Sequence, residues 1–407
     1  MEELFTQSVK DLGSMYHFSR DELEILDDAD KAAEELSKSE FEHYIKREVN
    51  PDHKKVLTKH GIIGASVDKR YGGRGANPLV SVLVKERLGQ LGMGLSSFIN
   101  VQMFLGEMMI QRWGTDDQKE RYLRPAVRGE KIFAYGLTEL EAGSDPSEMQ
   151  TTYEKKGSRY ILNGSKYLIT NGSIADNLII FARSKDNRDE KSAFIVDSKS
   201  SGFSIPMRME EKIGLFTSDT AMPQMDGVEV DEADVFGGIG NGMHVAYSGL
   251  MNGRTGVASA SIGVIEACLN AVVERAKERI QHGKEIGKHQ LIQNHIAEIR
   301  QNLEMARWPV YFAAIRKADY EADPSNESLI NELDLRISLA KKIASRLAFE
   351  SADRAVQVFG GFGYSILSPV GRLFCDSRVA RIYEGTDEIQ SLKIAEGVLG
   401  KDFKAFR

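Results

Sequence analysis

Residues 381–387, RIYEGTD, contain the side chain best suited to acid–base chemistry, Glu384. Tyr383 precedes Glu384 and Gly385 follows it, so the carboxylate sits on a tight bend that glycine permits. A carboxylate placed between an aromatic ring and a backbone turn is shielded from water, and this raises its pKa toward the range of a general base. A solvated glutamate in a surface turn fits the same residues, so the segment alone leaves both interpretations open.

One segment in the middle of the chain carries groups that suit a bound cofactor. In residues 135–145, YGLTELEAGSD, Thr138 and Ser144 supply hydroxyls, and Gly143 lets a ligand approach the backbone. Such groups bind the edge of a planar heterocycle or a pyrophosphate. Ordinary capping of a turn by Thr and Ser is the other interpretation. Residues 168–172, LITNG, by themselves indicate only the end of a strand and a turn.

Two predicted helix ends carry more glycine or positive charge than a helix end requires. One glycine would cap the helix that ends in residues 357–364, QVFGGFGY, yet three of residues 360–363 are glycine. This excess favours close approach of a ligand or a neighbouring chain. Residues 279–284, RIQHGK, place basic groups where they stabilise the helix dipole, and Arg279 also has the charge to hold a pyrophosphate.

The elements that must position these segments fall in three regions, of which the first is residues 1–132. Residues 22–37 and 79–88 are rich in helix formers and lack proline and glycine, so this region is predicted to be a helical domain. The glycine-rich residues 71–75 are predicted to be a loop. They lack the G-x-G-x-x-G spacing and the preceding strand of a dinucleotide site, so no phosphate role is assigned to them.

Residues 133–236 predict a compact β domain. Residues 159–162 and 165–169 flank Asn163-Gly164, the dipeptide preferred in two-residue hairpin turns, so a hairpin is predicted here. Two more short apolar runs predict strands, at residues 178–182 and 193–196.

Residues 237–407 predict a C-terminal helical bundle. Residues 329–358 form a long stretch of helix formers without proline or glycine. Apolar residues at helical spacing mark two further long helices: Ile262, Ile265, Leu269 and Val272 on one, and Ile292, Ile296, Ile299 and Leu303 on the other.

Composition excludes several classes of protein. The 407 residues carry a net charge of −7 with mixed-sign charge patterning, which disfavours nucleic acid as a partner. We find no apolar run near the ~18 residues of a membrane span and no basic-then-apolar N-terminal signal. Two cysteines, Cys268 and Cys375, fit a reducing cytoplasm and give no metal-ligand spacing, so no metal site is predicted.

Taken in order, the motifs resemble the acyl-CoA dehydrogenase family from about Gly61 to the C-terminus. The resemblance implies a mainly α fold with an N-terminal helical domain, a middle β barrel and a C-terminal four-helix bundle. Residues 145–149 and 225–230 are most similar to the glutaryl-CoA dehydrogenase-like branch. The motifs that carry the resemblance are Leu137-Thr138-Glu139, Ala142-Gly143-Ser144-Asp145, Ile169-Thr170-Asn171-Gly172, Gln357 with Gly360-Gly361, and Tyr383-Glu384-Gly385-Thr386.

The resemblance implies the oxidation of a fatty acyl-CoA thioester to the trans-2-enoyl-CoA, as in β-oxidation, with non-covalently bound FAD. Glu384 matches the base that removes the α-proton while a hydride passes from Cβ to flavin N5. An α-proton of a thioester is only weakly acidic, so the carbonyl must be polarised as negative charge develops. In the family, the backbone N–H of this glutamate and a flavin ribityl hydroxyl do so.

The resemblance also assigns binding residues. Gly385 belongs to the substrate-binding turn, Arg254 matches an arginine that supports the substrate pocket, and Ser144 lies near the CoA phosphopantetheine as well as the flavin. The remaining cofactor positions fall into a flavin-ring group and a group that holds the pyrophosphate and adenine, in the family across a subunit interface. The ring group is Tyr135, Leu137, Thr138, Gly143, Ser144, Leu168 and Thr170, with Thr386 and Glu388 from the catalytic turn; the second group is Arg279, His282, Gln290, Gln357, Val358, Gly360 and Gly361.

Some residues depart from the family pattern. Leu168 stands where many members carry a tryptophan against the flavin, and Leu140-Glu141 replaces a Pro-Gly pair in the flavin loop. Phe216 and Cys375 stand at positions where arginine is common. These departures bear on shielding of the ring, electron delivery and CoA binding.

Two positions restrict which residue can be the base and which substrates are expected. Isovaleryl-type members place their base immediately before the equivalent of Arg254, where this chain has Gly253, so only Glu384 is left as the base. The arginine with which the glutaryl branch binds a distal carboxylate aligns with Leu95. Burying a carboxylate without a cation costs several kcal/mol, so a dicarboxylyl substrate requires another cation.

The expected partners are an acyl-CoA substrate, an electron-transfer flavoprotein and further copies of the chain in a homotetramer or homodimer. An acyl-CoA oxidase on the same fold is one alternative, which hydrogen peroxide formation would distinguish. A non-catalytic, flavin-bearing assembly protein is the other, and retention of Glu384 weighs against it.

Overall fold

The computed structural model describes residue 12, residues 16–322, residues 327–403 and residue 405, without the side chains of residues 327, 328 and 401. Along these residues, helices come first, a sheet follows, and long helices return. The expected order of a helical domain, a β domain and a helical bundle is therefore confirmed.

Two of the longer N-terminal helices begin after residues whose side chains accept from their first backbone N–H groups. Ser19 and Glu22 form a capping box at the start of the first helix, and Asn77 caps the helix that Pro78 begins. The helices are α1 (Arg20–Lys46), α2 (Asp52–Lys59), α3 (Pro78–Gly89), α4 (Met93–Ile99), α5 (Met108–Trp113), α6 (Asp116–Gln118) and α7 (Arg124–Val127), with π-helical segments at Asn100–Glu107 and Lys119–Leu123.

The π-helical segment Asn100–Glu107 joins α4 to α5 without a break, and it is buried along its whole length. A π-helical turn widens the helix locally and changes the direction in which its side chains point. This matters because Asn100, the first residue of the segment, reaches the candidate active site.

The middle region is one nine-stranded sheet. Its strands are β1 (Phe133–Gly136), β2 (Thr152–Lys156), β3 (Arg159–Ser165), β4 (Ile169–Thr170), β5 (Asn177–Ser184), β6 (Lys191–Asp197), β7 (Phe203–Arg208), β8 (Thr220–Asp231) and β9 (Val235–Phe236). Their order is β4-β8-β3-β2-β5-β6-β9, with β1 parallel to β5 and β7 paired with β8. Both faces of β5 are buried, since its odd- and even-numbered residues belong to different hydrophobic clusters.

The hairpin predicted at Asn163-Gly164 is wrong. Both residues lie inside β3, which continues to Ser165, and the pairing of β3 with β8 shifts register between Leu162 and Gly164. Gly164 has a φ of 138°, so the glycine serves a β-bulge rather than a turn. The hairpin that does form joins β2 to β3 through Gly157, at a φ of 62°.

The C-terminal region is built on three long helices that pack against one another. The predicted apolar stripe on the first is confirmed, because Ile262, Ile265, Leu269 and Val272 are all buried. The elements are α8 (Gly242–Glu278), the short pair β10 (Ile280–Gln281) and β11 (Lys284–Glu285), α9 (Gln290–Ala322), α10 (Glu327–Phe359), α11 (Pro369–Ser377) and α12 (Asp387–Leu399).

Helix α8 corrects one expectation from the sequence. It is long and apolar enough to cross a membrane by length and composition, although no such run was expected. However, 78% of its most apolar window is buried inside the fold, where it packs against α3, α9 and α10. This burial is that of a central core helix, and it explains why α8 lacks a polar face.

Candidate active site

Glu384 lies in a turn between the short 3-10 helix Arg378–Arg381 and α12. Its φ is 54° and that of Gly385 is 89°, so two successive residues adopt left-handed conformations. For a residue other than glycine this costs about 1–3 kcal/mol. Tyr383 packs against the main hydrophobic core, as expected for a shielded turn.

Three side chains from elsewhere in the chain hold the backbone of this turn. Arg254 of α8 donates from Nε to the Glu384 carbonyl at 3.2 Å, and Gln390 donates to the carbonyls of Glu384 and Gly385 at 3.1 and 3.0 Å. Lys341 of α10 donates from Nζ to the Gly385 carbonyl at 2.6 Å. These bonds stabilise the strained turn and fix the direction of the Glu384 side chain.

The Glu384 carboxylate has one satisfied and one free oxygen. Oε1 accepts a hydrogen bond from Asn100 Nδ2 at 3.2 Å. Oε2 is withdrawn from water and has no hydrogen-bond partner within the described residues. A Cβ added at Gly253 would lie 2.3 Å from Oε2, so the glycine provides the space that the carboxylate occupies. A buried acceptor without a donor is costly, and such exceptions point to function.

The electrostatic surroundings give the Glu384 carboxyl a pKa near neutral pH. Burial raises the pKa of its carboxyl, while Arg254, Lys341, Lys85 and the hydrogen bond from Asn100 lower it, with a net pKa of about 7. A base with a pKa near the working pH is efficient because it combines the ionised form with proton affinity. The cations near Glu384 thus limit the effect of burial without cancelling it.

Tyr135 of β1 forms the side of the site that faces the sheet. Its hydroxyl donates to the carbonyl of Ala246 in α8 at 3.1 Å. Burial and the nearby Glu384 raise the pKa of this phenol well above its usual value. A Cβ at Gly249 would come within 2.6 Å of the hydroxyl, so close contact between β1 and α8 depends on that glycine.

A buried ion pair shapes the loop that follows β1. Lys166 Nζ lies 2.6 Å from Glu139 Oε1 and also donates to the Leu137 carbonyl at 3.3 Å. Glu139 in turn accepts from the backbone N–H of Thr151 at 3.0 Å. Burial lowers the pKa of Lys166 to about 8 against the opposing effect of Glu139. The loop is therefore folded by residues that point away from its open side.

The open side of this loop carries the other predicted flavin-ring residues. The residue before Leu168 donates to the Thr138 carbonyl at 2.9 Å, which brings residues 138 and 168 together, and Thr170 continues into β4. Leu168 is 41% exposed with a φ of 57°, Ser144 is exposed, and a Cβ at Gly143 would meet nothing within 4 Å. These residues form a partly apolar, accessible surface beside β1.

The second predicted cofactor group does not reach Glu384 within one chain. Arg254 contacts the turn that carries Glu384, and Arg279 caps the C-terminal end of α8, 25 residues farther along the chain, which corresponds to roughly 37 Å at 1.5 Å per residue. Val358 is buried, but the others are exposed at the far end of the bundle, next to Tyr364, which is 92% exposed. This group comprises Arg279, His282, Gln290, Gln357, Val358, Gly360 and Gly361.

Thr386 and Glu388 have a local role in the structure. Thr386 caps α12 by accepting from the N–H of Ile389 at 3.3 Å. A hydrogen bond from Thr386 lowers the pKa of the exposed Glu388 carboxyl. Both residues therefore lie where the turn that carries Glu384 ends and α12 begins.

Sequence reasoning missed Asn100, Lys341, Gln390 and Lys85. Asn100 and Glu384 are 284 residues apart, and no local pattern marks the π-helical segment that joins them. Lys85 did leave a signal, since Lys85-Glu86-Arg87 is a charged triplet inside a helix whose every residue is buried. Buried charges of this kind require partners, and one partner of Lys85 is Asn100, which also contacts Glu384.

Three family models match successive parts of the chain. Their descriptions are acyl-CoA dehydrogenase N-terminal domain, middle domain and C-terminal domain, and they match residues 19–130, 134–228 and 240–399. Together these ranges include every residue described above for the site.

One curated relative is a subunit of the caffeyl-CoA reductase–Etf complex of Acetobacterium woodii, which is 35% identical over 85% of this chain and 89% of its own length. The solved structure of butyryl-CoA dehydrogenase from Megasphaera elsdenii is 34% identical, with a TM-score of 0.89 over 95% of this chain and 100% of the other. Glutaryl-CoA dehydrogenase from Mycobacterium smegmatis is also a structural neighbour, 27% identical with a TM-score of 0.86 over 96% and 97% of the two chains.

Proposed function

We propose that this chain, which belongs to the acyl-CoA dehydrogenase family of flavin-dependent oxidoreductases, oxidises an acyl-CoA thioester to the trans-2-enoyl-CoA with Glu384 as its base. The observation that carries the proposal is the Glu384 carboxylate: withdrawn from water, held at one oxygen and free at the other. Glu266 and Asp387 also leave one buried oxygen without a partner, but each forms an ion pair with an arginine through the other oxygen. Glu384 forms no such ion pair among the described residues, and its bonded oxygen contacts only the neutral Asn100.

The residues of this chain fit FAD as the cofactor. The accessible surface made by Gly143, Ser144 and Leu168 suits a planar ring system, since it offers an apolar side chain, a hydroxyl and a glycine with open space beside it. Residues 279–290 and 357–361 are too distant to act on the same ring, and we assign them to the pyrophosphate and adenine of FAD bound by a neighbouring copy. When bound, the flavin accepts the hydride from the substrate Cβ.

Groups of this chain account for the removal of the α-proton from the substrate. Glu384 Oε2 takes the proton from Cα, and Asn100 keeps Oε1 in place during the transfer. The backbone N–H of Glu384 donates to no acceptor within the described residues, so it is available to the thioester carbonyl oxygen. A donor aimed at that oxygen stabilises the enolate-like charge, and its effect is stronger where water is excluded.

We assign an electron-transfer flavoprotein as the electron acceptor and a homotetramer or homodimer as the assembly, in the cytoplasm. The relative from an Etf-containing complex supports the acceptor. The exposed Leu168 beside the loop leaves an open edge through which electrons can leave. The separation of the two cofactor groups supports an assembly, because a second copy is needed to bring them together.

Reduction of an enoyl thioester is a second candidate, favoured by one observation. With a pKa of about 7, Glu384 is present as both carboxylate and acid at neutral pH, so it can also protonate Cα. The caffeyl-CoA reductase relative is consistent with this direction. Mixing the chemically reduced protein with crotonyl-CoA distinguishes the two, because reoxidation of the flavin on mixing shows that the reverse reaction is fast.

Anaerobic bleaching of the bound flavin by a panel of straight, branched and dicarboxylyl CoA thioesters tests the proposal. We expect at least one thioester to bleach the wild type. We expect Glu384→Gln to retain FAD and to bleach with a rate lowered by about 10³-fold. Glu107→Gln is the matched control, because burial raises the pKa of Glu107 to about 7 as well, yet it bonds Gly64 N and Gln102.

Equal loss of bleaching in both variants would mean that any buried carboxyl is needed for folding, and rapid bleaching by Glu384→Gln would disprove the base assignment. Purified protein without flavin absorbance would disprove the function altogether. Peroxide formed in proportion to substrate would identify an oxidase instead.

A further inference from the structure

The Asp334 carboxylate of α10 connects three helices beside the turn that carries Glu384. Its Oδ1 accepts a hydrogen bond from Arg254 Nη1 of α8 at 3.0 Å, and its Oδ2 lies 3.4 Å from Lys393 Nζ of α12. The side chain of Asp334 is 27% exposed, so water screens these two ion pairs only in part. A single carboxylate thus holds one cation from each of the two neighbouring helices.

Arg254 is the residue through which Asp334 reaches the base. The Arg254 side chain is 4% exposed, and its Nε donates to the Glu384 carbonyl at 3.2 Å. Among the described residues, Asp334 is the only carboxylate within 4.0 Å of the Arg254 guanidinium. Because a buried charge without a partner is strongly destabilised, this ion pair fixes where the guanidinium lies.

Helix α10 therefore supports the turn in two ways. Lys341 donates directly to the Gly385 carbonyl at 2.6 Å. Asp334 lies seven residues earlier, about two helical turns, so both side chains project from the same face of α10. One side chain holds the Gly385 carbonyl directly, and the other holds the Glu384 carbonyl through Arg254. Two consecutive peptide groups of the turn thus depend on one helix.

We infer that Asp334 is a positioning residue for the proposed oxidation: it holds the Arg254 guanidinium against the Glu384 carbonyl and so directs the base toward the substrate α-carbon. This inference rests on the proposed function. Glu384 and Gly385 both have left-handed conformations, and a strained turn persists only while its surroundings hold it. A displacement of about 1 Å in a reacting group lowers the rate by as much as about 100-fold.

Asp334→Asn tests the inference, because it keeps the size of the side chain and removes its charge. With a thioester that bleaches the wild type, we expect the rate constant of flavin reduction at saturating substrate to fall about 10-fold, while the Kd of the thioester stays within about threefold. Glu332→Gln is the matched control. It neutralises another α10 carboxylate that pairs with an arginine, Arg316 at 2.9 Å, and should leave both values unchanged.

A double-mutant cycle shows whether Asp334 acts through Arg254. In the Arg254→Gln background the guanidinium is absent, so adding Asp334→Asn should lower the rate constant of flavin reduction by less than about twofold. Losses that multiply in the double variant would mean that Asp334 affects the reaction by another route, and this would overturn the inference.

Removal of the α-proton can be measured apart from hydride transfer. A 3-thia-acyl-CoA has sulfur in place of the β-carbon, so its α-proton can exchange with heavy water while no hydride leaves. We expect Asp334→Asn to slow this exchange about 10-fold and Glu332→Gln to match the wild type. If Asp334 served only to connect α10 with α12, its loss would lower the melting temperature and leave the exchange rate unchanged.

The outcomes separate this inference from the proposed function. Wild-type rates of reduction and exchange in Asp334→Asn would overturn the inference and leave the proposed function intact. If Asp334→Asn does not fold, Asp334→Glu replaces it, since it keeps the charge and moves the carboxylate by one methylene. A lowered rate in Asp334→Glu supports positioning, and a wild-type rate overturns it. If no thioester reduces the flavin of the wild type, the proposed function fails and this inference fails with it.

Discussion

Two glutamates with carboxylate oxygens withdrawn from water, Glu40 and Glu384, show how one fold uses the same side chain in opposite ways. Glu40 of α1 accepts hydrogen bonds from His53 at 2.6 Å, Asn50 at 2.9 Å and Thr217 at 2.5 Å, so both of its oxygens are bonded. Burial favours the protonated form of Glu40, but His53 and these hydrogen bonds lower its pKa to about 2. Glu384, with one bonded oxygen, has a pKa of about 7.

The difference shows that burial alone does not determine the state of a carboxyl group. Removal from water penalises both carboxylates, and the number and charge of the contacting donors decides whether that penalty is overcome. Glu40 joins α1, α2 and the segment before β8, which is a structural task. Glu384 keeps a free oxygen near a glycine, an arrangement that costs stability and leaves the group ready to accept a proton.

The largest expected effect comes from neutralising the structural glutamate. Glu40→Gln removes the negative charge beside His53 and replaces one acceptor oxygen with an NH2 donor, so His53 and Thr217 cannot both keep their acceptor. We expect a loss of about 3–5 kcal/mol in the free energy of unfolding. Glu384→Gln should instead keep or increase stability at pH 8, because it removes a buried charge. Urea unfolding of both variants at pH 8 measures the contrast, and equal losses would contradict it.

The pH dependence of stability should separate the two groups without loss of either side chain. The lowered pKa of Glu40 contributes stability that is present above about pH 4.3 and is lost as the pH falls through about 2, in total about 3 kcal/mol. The raised pKa of Glu384 has the opposite sign: its contribution is present below about pH 4.3 and is lost as the pH rises through about 7.

Unfolding free energies of the wild type and Glu384→Gln between pH 5 and pH 8 measure the second part of this prediction. The wild type should lose roughly 3 kcal/mol relative to the variant across this range. Parallel curves for the two proteins would mean that the carboxyl titrates near its ordinary pKa.

Gly253→Ala tests the space around the free oxygen. An added Cβ would lie 2.3–2.7 Å from the carboxylate atoms of Glu384, so the side chain must rotate away from its position. We expect flavin reduction to slow about 100-fold, equivalent to about 2.7 kcal/mol of transition-state free energy, with a smaller change in thermal stability. Stopped-flow bleaching and melting curves measure the two effects; an unchanged rate would show that the carboxylate acts from another position.

The smallest expected effect is a shift in the pH profile. Arg254, Lys341, Lys85 and Asn100 lower the pKa of Glu384, so removing one of these charges should raise it. In Lys341→Met we expect the acid limb of the kcat profile to move up by as much as about one pH unit, about 1.4 kcal/mol. If kcat falls while the midpoint of the pH profile stays unchanged, Lys341 acts only through its hydrogen bond to the Gly385 carbonyl.

The parts of the fold that could be predicted from the sequence are those set by local patterns. The helical regions and the strands at residues 178–182 and 193–196 were evident because helix and strand periodicity are local. The Asn163-Gly164 prediction failed because tertiary pairing with β8 kept the chain extended where local preference favours a turn. From the sequence we predicted only that Gly253 cannot serve as a base. That Gly253 leaves room for the Glu384 carboxylate was not predicted.

By itself, the sequence determined the order of the domains, the family and Glu384 as the candidate base, since these follow from local patterns and motif order. Only the tertiary structure decided the chemistry of that base, because its pKa depends on residues that are far apart in the chain: Asn100 on a π-helical segment, Arg254 on α8 and Lys341 on α10. The same distance in sequence concealed Lys85 of α3, which contacts Asn100 beside Glu384. Long-range packing sets the electrostatic environment, and no local pattern encodes it.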